Sequence, residues 1–507
     1  MPDNRTRPVA AAGLALVAGL ALSACSAASG STAVSHDLVI GAVTEPERQP
    51  DPLVEGSLAG FNYYYNLYDQ LTTLNADGEI EPSVATEWTS NEDFTEWTFT
   101  LRDDVVFHDG EPLTAADVAF SYNQVLATED SDIRGYMGML ESAEATDDTT
   151  VVFTLSSPFS PWPSITTSVS IVPEAVYTEL GPDGFVEAPV GSGPFTYVSW
   201  TRGVEYVLEG NDDYWGGAPE VDTLTFQTVA DEEARLNGVI AGSLDVALVS
   251  PNQVSALDGS GAEVASRESN GVIFLGTNST KGALKDPLVR RAISLAIDKD
   301  ELVAQALGGR AVANDQPVAP NVTGYAADAQ APGFDPEAAK ELLAQSSYDG
   351  EAIPFEYATD GRIPLSSEVA QAVAGYLDAV GIKVELVGMD QASLSNKIYG
   401  TVNMDGLFLN TWAPTTMDAD MPATNFFAGG QNDYAASPET QALVEEQRTV
   451  DGAEREAVFA ELSQVNWDNA YLIPLYTPMA DYAVSPDITW EPRVDGEYVL
   501  KDVTFAP

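Results

Sequence analysis

Trp97-Thr-Phe-Thr-Leu-Arg-Asp-Asp-Val-Val-Phe-His-Asp-Gly-Glu-Pro-Leu-Thr-Ala-Ala-Asp-Val118 holds two strand signals, a turn and a helix start. Trp97 to Leu101 and Val105 to His108 read as strands joined by Arg102-Asp103-Asp104, and Gly110-Glu-Pro112 is turn chemistry. Thr114-Ala-Ala-Asp117 is a capping box with Asp in place of the usual Glu, opening a helix over Val118 to Leu126. Upstream, Asp37 to Val43 reads as a strand and Ala59 to Leu71 as an aromatic-rich helix or turn. Downstream, residues 151–155, 204–209 and 221–229 read as further strands.

The second half of the chain alternates strands with helices. Val272 to Gly276 is a strand. Asp286 is an N-cap with Pro287 at the first helical position, and helical spacing runs from Leu288 to Leu307. Asp335-Pro336 starts a helix through Ala344. Ser366 to Val380 forms another, ended by Gly381, and Ile382 to Val387 is a strand. Ser437 to Thr449 and Ala453 to Trp467 are the last helices, before a closing strand at Leu472 to Tyr476. Such alternation predicts an α/β fold.

Composition removes several functions. Lys and Arg number 22 against 78 Asp and Glu, a net charge of −56. Binding a polyanion needs clustered cations, so neither nucleic acid nor a basic membrane patch fits. The acidic surface favours a soluble monomer. Two histidines, His36 and His108, and one cysteine, Cys25, leave no Cys/His metal site and no disulfide framework. No cofactor motif is present: Gly191-Ser-Gly193 lacks the Walker lysine and a dinucleotide fingerprint, and reads as turn chemistry that uses positive φ. His108 has no partnered nucleophile, so no catalytic residue is assigned. With 78 carboxylates, acidic pairs arise by chance and are no evidence for a glycan hydrolase.

At the N-terminus, Arg5 and Arg7 precede an apolar run, Pro8 to Leu22, shorter than the roughly 20 residues of a spanning helix. Residues 1–24 read as a signal peptide. Leu22-Ser23-Ala24-Cys25 resembles the lipobox of bacterial lipoproteins, which implies lipidation of Cys25. Residues 25–35 then form a Ser/Ala/Gly/Thr-rich tether, so the expected location is the extracytoplasmic membrane face.

Glu81-Pro-Ser-Val-Ala-Thr-Glu-Trp88 followed by the Trp97–Val118 stretch resembles the signature of bacterial family 5 solute-binding proteins. Pro189-Val-Gly-Ser-Gly-Pro-Phe195, Asn211-Asp-Asp-Tyr-Trp215, Gly242-Ser-Leu-Asp245, the run from Asp286 to Asp298 and Ile473-Pro-Leu-Tyr476 follow in the family's order. The resemblance implies a two-lobed periplasmic-binding-protein-like α/β fold (type II, cluster C) with an extra subdomain in lobe I. Lobe I would comprise 36–68, 188–271 and 478–507, with the subdomain at 69–187 and lobe II at 272–477. It also implies a ligand enclosed between closing lobes, no enzymatic step, and delivery to an ABC permease with cytoplasmic ATPases.

Peptide-binding relatives pair an aspartate with the peptide's α-ammonium, after a Gly-Trp pair and four residues before a proline. Here Asn410-Thr-Trp412 stands at the approach and Thr415 takes the third position after the tryptophan. Counting back from Pro422 gives Asp418, with Asp420 in reserve; otherwise the anchor is lost and the ligand is not a free peptide. Trp412 is either a stacking surface for ligand or core. Asn62, Tyr63 and Tyr64 match a cleft-lining loop of relatives, with Tyr65 and Tyr68 equally suited to the core. Tyr136 and Met137 fall near a peptide-contacting position. Asn278 either reaches the cleft or caps the next turn. Oligopeptides or dipeptides lead as ligands; an oligosaccharide or other small solute, or presentation to a sensor, is the alternative.

Overall fold

Strand Leu472–Val484 organises the molecule, because both halves of the main sheet hydrogen-bond to it. The computed structural model describes residues 35–46, 50–360 and 363–506; Cys25, the signal segment and residues 25–34 of the tether lie outside them. Leu472 to Tyr476 pairs antiparallel with Val272–Thr277, and Asp481 to Val484 pairs with Val246–Val249. On one side, Asp37–Ala42 lies parallel to Val246–Val249 and to Thr223–Thr228, with Glu205–Gly210 and Phe195–Thr201 completing the edge. On the other, Val272–Thr277 pairs with Leu407–Trp412, which runs parallel to Ile353–Ala358 and then Val384–Met389. Helices cover these strands, as parallel pairing requires. The result is a bilobed α/β fold whose lobes share one long strand and the adjacent chain from Glu268 to Val272.

A four-stranded antiparallel sheet stands apart, in the order Ala85–Ser90, Glu96–Leu101, Thr150–Leu155, Leu140–Asp147. Helix Ala115–Ala127 packs on it through Tyr122, whose ring meets Phe153 at 4.7 Å and 62°, a tilted geometry suited to ring quadrupoles. The capping box is present: the Thr114 N–H and hydroxyl donate to Asp117 Oδ2 at 3.0 and 2.8 Å.

Three sequence expectations change. Val105 to His108 is not a strand; a single bridge, Val106 to Pro112, closes a turn in which Gly110 adopts φ +88°. The helical run from Leu288 to Leu307 is two helices, Pro287–Ala296 and Lys299–Ala306, because Asp298 caps the second by accepting from the Glu301 N–H at 2.9 Å. Gly191 and Gly193 do not use positive φ. They permit close approach, since a Cβ on either would collide with the Leu67 backbone. His108 pins this loop: Gly191 N–H donates to its Nδ1 at 3.2 Å, which leaves Nε2–H to donate to the Gly193 carbonyl at 3.0 Å.

Candidate functional site at the seam between the lobes

The loop from Trp412 to Asp420 leaves strand Leu407–Trp412 and enters helix Asp420–Phe427. Asn270, on the chain crossing between lobes, fixes its middle by donating from Nδ2 to the Pro414 carbonyl at 2.9 Å. Across the seam, the Tyr136 hydroxyl donates to the Gly56 carbonyl at 3.1 Å and also meets the Thr415 side chain. Burial pushes the Tyr136 phenol above its ordinary value, and the nearby charges of Asp132, Glu497 and Glu55 add to this. Tyr136 and Thr415 thus lie close enough across the seam for the Thr415 side chain to act on the phenol.

A second bridge lies at Ser160, whose N–H donates to the Arg448 carbonyl at 2.9 Å. Beside it a cavity of about 410 Å³ has Trp88, Ser90, Phe94 and Ser164 on one wall and Thr323, Asp418 and Arg455 on the other. A larger cavity of about 600 Å³ sits in the first lobe, bordered by Tyr65, Gln70, Arg493 and Trp490.

The C-terminal segment is held against the seam by helix Leu58–Leu67. Asn62 Oδ1 accepts the Tyr498 N–H at 2.7 Å; Asn66 donates to the Tyr498 carbonyl at 2.6 Å and accepts the Leu500 N–H at 3.0 Å. These bonds set Glu497 within electrostatic reach of Tyr65 and Tyr136.

Of the residues expected to line the site, Tyr136 lies at the seam, Trp412 begins the seam loop, and Asn410 is buried on the strand before it. Asn410 Nδ2 donates to the Tyr399 hydroxyl at 2.7 Å, and half-buried Trp412 packs edge-on against Phe426 at 5.4 Å. The others sit differently. Asn62 positions the C-terminal segment, as above. Tyr63 is core, stacked on Tyr206 at 4.2 Å, because its side of the helix faces the sheet. Tyr64 and Met137 are likewise buried in the first-lobe core. Asn278 caps its turn: Oδ1 accepts the Thr280 N–H at 3.1 Å while Nδ2 donates to the Met404 carbonyl at 2.8 Å. Asp418 is not an open anchor, since Arg455 donates to both its oxygens at 2.8 and 2.6 Å. Asp420 is held by Gln447 and Arg448 at 2.5 and 2.8 Å. Glu55, Glu497 and Tyr399 carried no sequence signal, being two of many carboxylates and a tyrosine, eleven residues before Asn410, in a stretch without a motif. Among the described residues, no cluster of acidic or His side chains is arranged to hold a metal ion.

The model of the bacterial extracellular solute-binding proteins, family 5 (middle), matches residues 79–434. A probable D,D-dipeptide-binding periplasmic protein of Escherichia coli (strain K12) is 27% identical over 471 residues, covering 89% of this chain and 90% of its own. A glutathione-binding protein of Pectobacterium atrosepticum is 27% identical over 461 residues, covering 87% of each. The crystal structure of an ABC transporter substrate-binding protein from Listeria monocytogenes superposes with a TM-score of 0.84 at 22% identity, covering 93% of this chain and 99% of that one. On the strength of the family match across most of its folded part, this chain belongs to the bacterial extracellular solute-binding proteins of family 5.

Proposed function

We propose that this chain is an extracytoplasmic receptor that captures peptides at the seam between its lobes and delivers them to an ABC permease driven by cytoplasmic ATPases. The observation that carries this reading is the cavity of about 410 Å³ lined from both sides of the seam, by Trp88, Ser90 and Phe94 and by Thr323, Asp418 and Arg455. A ligand touching both sides binds the closed state better than the open one, and that difference in affinity drives closure. The two relatives, one a probable D,D-dipeptide-binding protein and one a glutathione-binding protein, support a peptide as the ligand class. The finer architecture goes with this reading: type II, cluster C, a monomer, with the sheet of Ala85–Ser90 and its neighbours as a subdomain of lobe I (69–187). Residues 36–68, 188–271 and 478–507 form the rest of that lobe, and 272–477 form lobe II. Lipidation of Cys25 holds the receptor at the membrane face, two or more acyl chains giving a stable anchor.

Native mass spectrometry of the chain purified from Ser26 onward tests the ligand class. Peptides released on mild unfolding support the reading; a sugar or another small solute in their place overturns it. Mass analysis of the membrane-extracted protein tests the anchor, with the acyl mass on Cys25 expected and its loss in Cys25→Ala.

A further inference from the structure

The cavity of about 600 Å³ in the first lobe has no part in the receptor reading, since no residue between 272 and 477 lines it. Two of its lining side chains are buried with hydrogen-bonding atoms that the protein leaves unused. Ser83 is 7% exposed, and its hydroxyl has no partner among the described residues. Gln70 is 5% exposed; its Nε2 donates to the Tyr68 carbonyl at 3.0 Å, which leaves Oε1 as a free acceptor. The two residues are neighbours: the Val84 N–H donates to the Gln70 carbonyl at 3.3 Å, and Thr72 pairs with Pro82. Leaving such groups unpaired costs free energy that a ligand recovers. An amide oxygen only accepts, so the ligand atom that meets it carries a hydrogen.

Charge and walls narrow the chemistry. Asp69, Glu81 and Glu491 line the cavity and form no ion pair among the described residues. The cations nearby are committed, Arg493 to Asp495, Lys501 to Asp502 and Arg102 to Asp104. The surplus is negative, so an anion is repelled and a cation attracted. Half-buried Tyr65, Trp215 and Trp490 supply aromatic rings, whose faces also attract cations. Trp215 already holds one, the Arg102 guanidinium at 3.7 Å from its ring centroid. We propose that this cavity is a second binding site, separate from the seam, for a small primary amine with an apolar body. The ammonium donates to Gln70 Oε1 and Ser83 Oγ, and the body packs against Tyr65 and Trp490. The volume suits a small molecule.

Titration calorimetry of the chain from Ser26 onward, with benzylamine as the probe, tests the site. A single saturable site is expected. Two analogues separate the contributions: benzyltrimethylammonium keeps the ring and the charge without an N–H, and benzyl alcohol keeps the ring and a donor without the charge. Each should bind about tenfold more weakly or worse. Ser83→Ala removes no hydrogen bond within the protein, so it should fold as wild type does and weaken benzylamine about tenfold. Isotope-edited NMR should place the ring protons of bound benzylamine against the Trp490 indole. Equal binding of the quaternary analogue would show only general attraction to an acidic surface and overturn the site. Equal binding of the alcohol overturns the amine as its ligand. Undiminished affinity in Ser83→Ala, or no saturable binding to wild type, also overturns the proposal. None of these outcomes touches the receptor reading, which rests on the seam.

Discussion

Asp418 and Arg455 face each other as a buried, two-pronged ion pair, with Nη1 on Oδ2 at 2.8 Å and Nη2 on Oδ1 at 2.6 Å. The Asp420 N–H adds a third bond to Oδ1 at 2.7 Å. The pair ties the seam loop to helix Gly452–Asn469, so its work is to hold that loop in shape. Removing one partner strands the other charge in a low-dielectric site, at a cost of about 3–5 kcal/mol. Urea denaturation of Asp418→Asn should show a loss of that size, with peptide affinity in the folded fraction changed by less than about threefold. Normal stability with abolished affinity would return Asp418 to the ligand.

Asn66 makes three hydrogen bonds, to the Asn62 and Tyr498 carbonyls and from the Leu500 N–H. Asn66→Ala leaves two buried backbone groups of the C-terminal segment unpaired, costing about 1–3 kcal/mol each. Hydrogen exchange should then quicken at Tyr498 and Leu500 before the core does. Exchange that quickens uniformly would mean the segment is not separately held by this residue.

How far the sequence speaks depends on whether the signal is local. The Thr114 capping box, the Asp286-Pro287 helix start and the Gly381 stop are local and can be read directly, and Gly381 adopts φ +94° as a left-handed cap should. The shared strand was read only as far as Tyr476. Pro474 and Pro478 interrupt its pattern, and its burial changes character where it passes from one lobe to the other. Asp298 shows the opposite error: apolar spacing carried one helix across a residue whose capping role, with Glu301 three positions on, lay in plain view. At the seam, Tyr136 was reached through family resemblance. Glu497 was not, because nothing local separates it from other carboxylates; its environment comes from Asn62 and Asn66, more than 430 residues earlier in the chain.

Asp69 carries a pH signature. Burial pushes its carboxyl up to about 6, despite the bonds it accepts from the Tyr214 hydroxyl at 2.9 Å and Trp215 Nε1–H at 3.0 Å. Below pH about 4 both folded and unfolded forms hold the proton. Between about 4 and 6 the unfolded form releases it first, so this group's contribution to stability falls as pH rises, by about 1.4 kcal/mol per unit. The stability difference between wild type and Asp69→Asn should therefore slope across pH 4–6 and be flat above it. A flat difference throughout would show that Asp69 ionises normally.

His108 behaves in the opposite sense. Burial depresses its imidazole, against the opposing bond to Gly193, so its stabilising part is present above the unfolded value of about 6.5 and is lost as pH falls below it. With Gly191 donating to Nδ1, nitrogen NMR should find a neutral ring with the proton on Nε2 at pH 6.5. Only His36 shares the spectrum. A protonated ring, or a proton on Nδ1, would contradict the loop geometry.

Clasping of ligand between the lobes is the central claim, and a distance across the 410 Å³ cavity reads it. The chain from Ser26 onward contains no cysteine, so Ser90→Cys and Asp451→Cys, on opposite walls, give a unique spin-labelled pair. After removal of bound ligand by unfolding and refolding, double electron–electron resonance should show a broad distribution that a bound peptide collapses to one short distance. A distribution that stays the same while the peptide is bound would contradict the account.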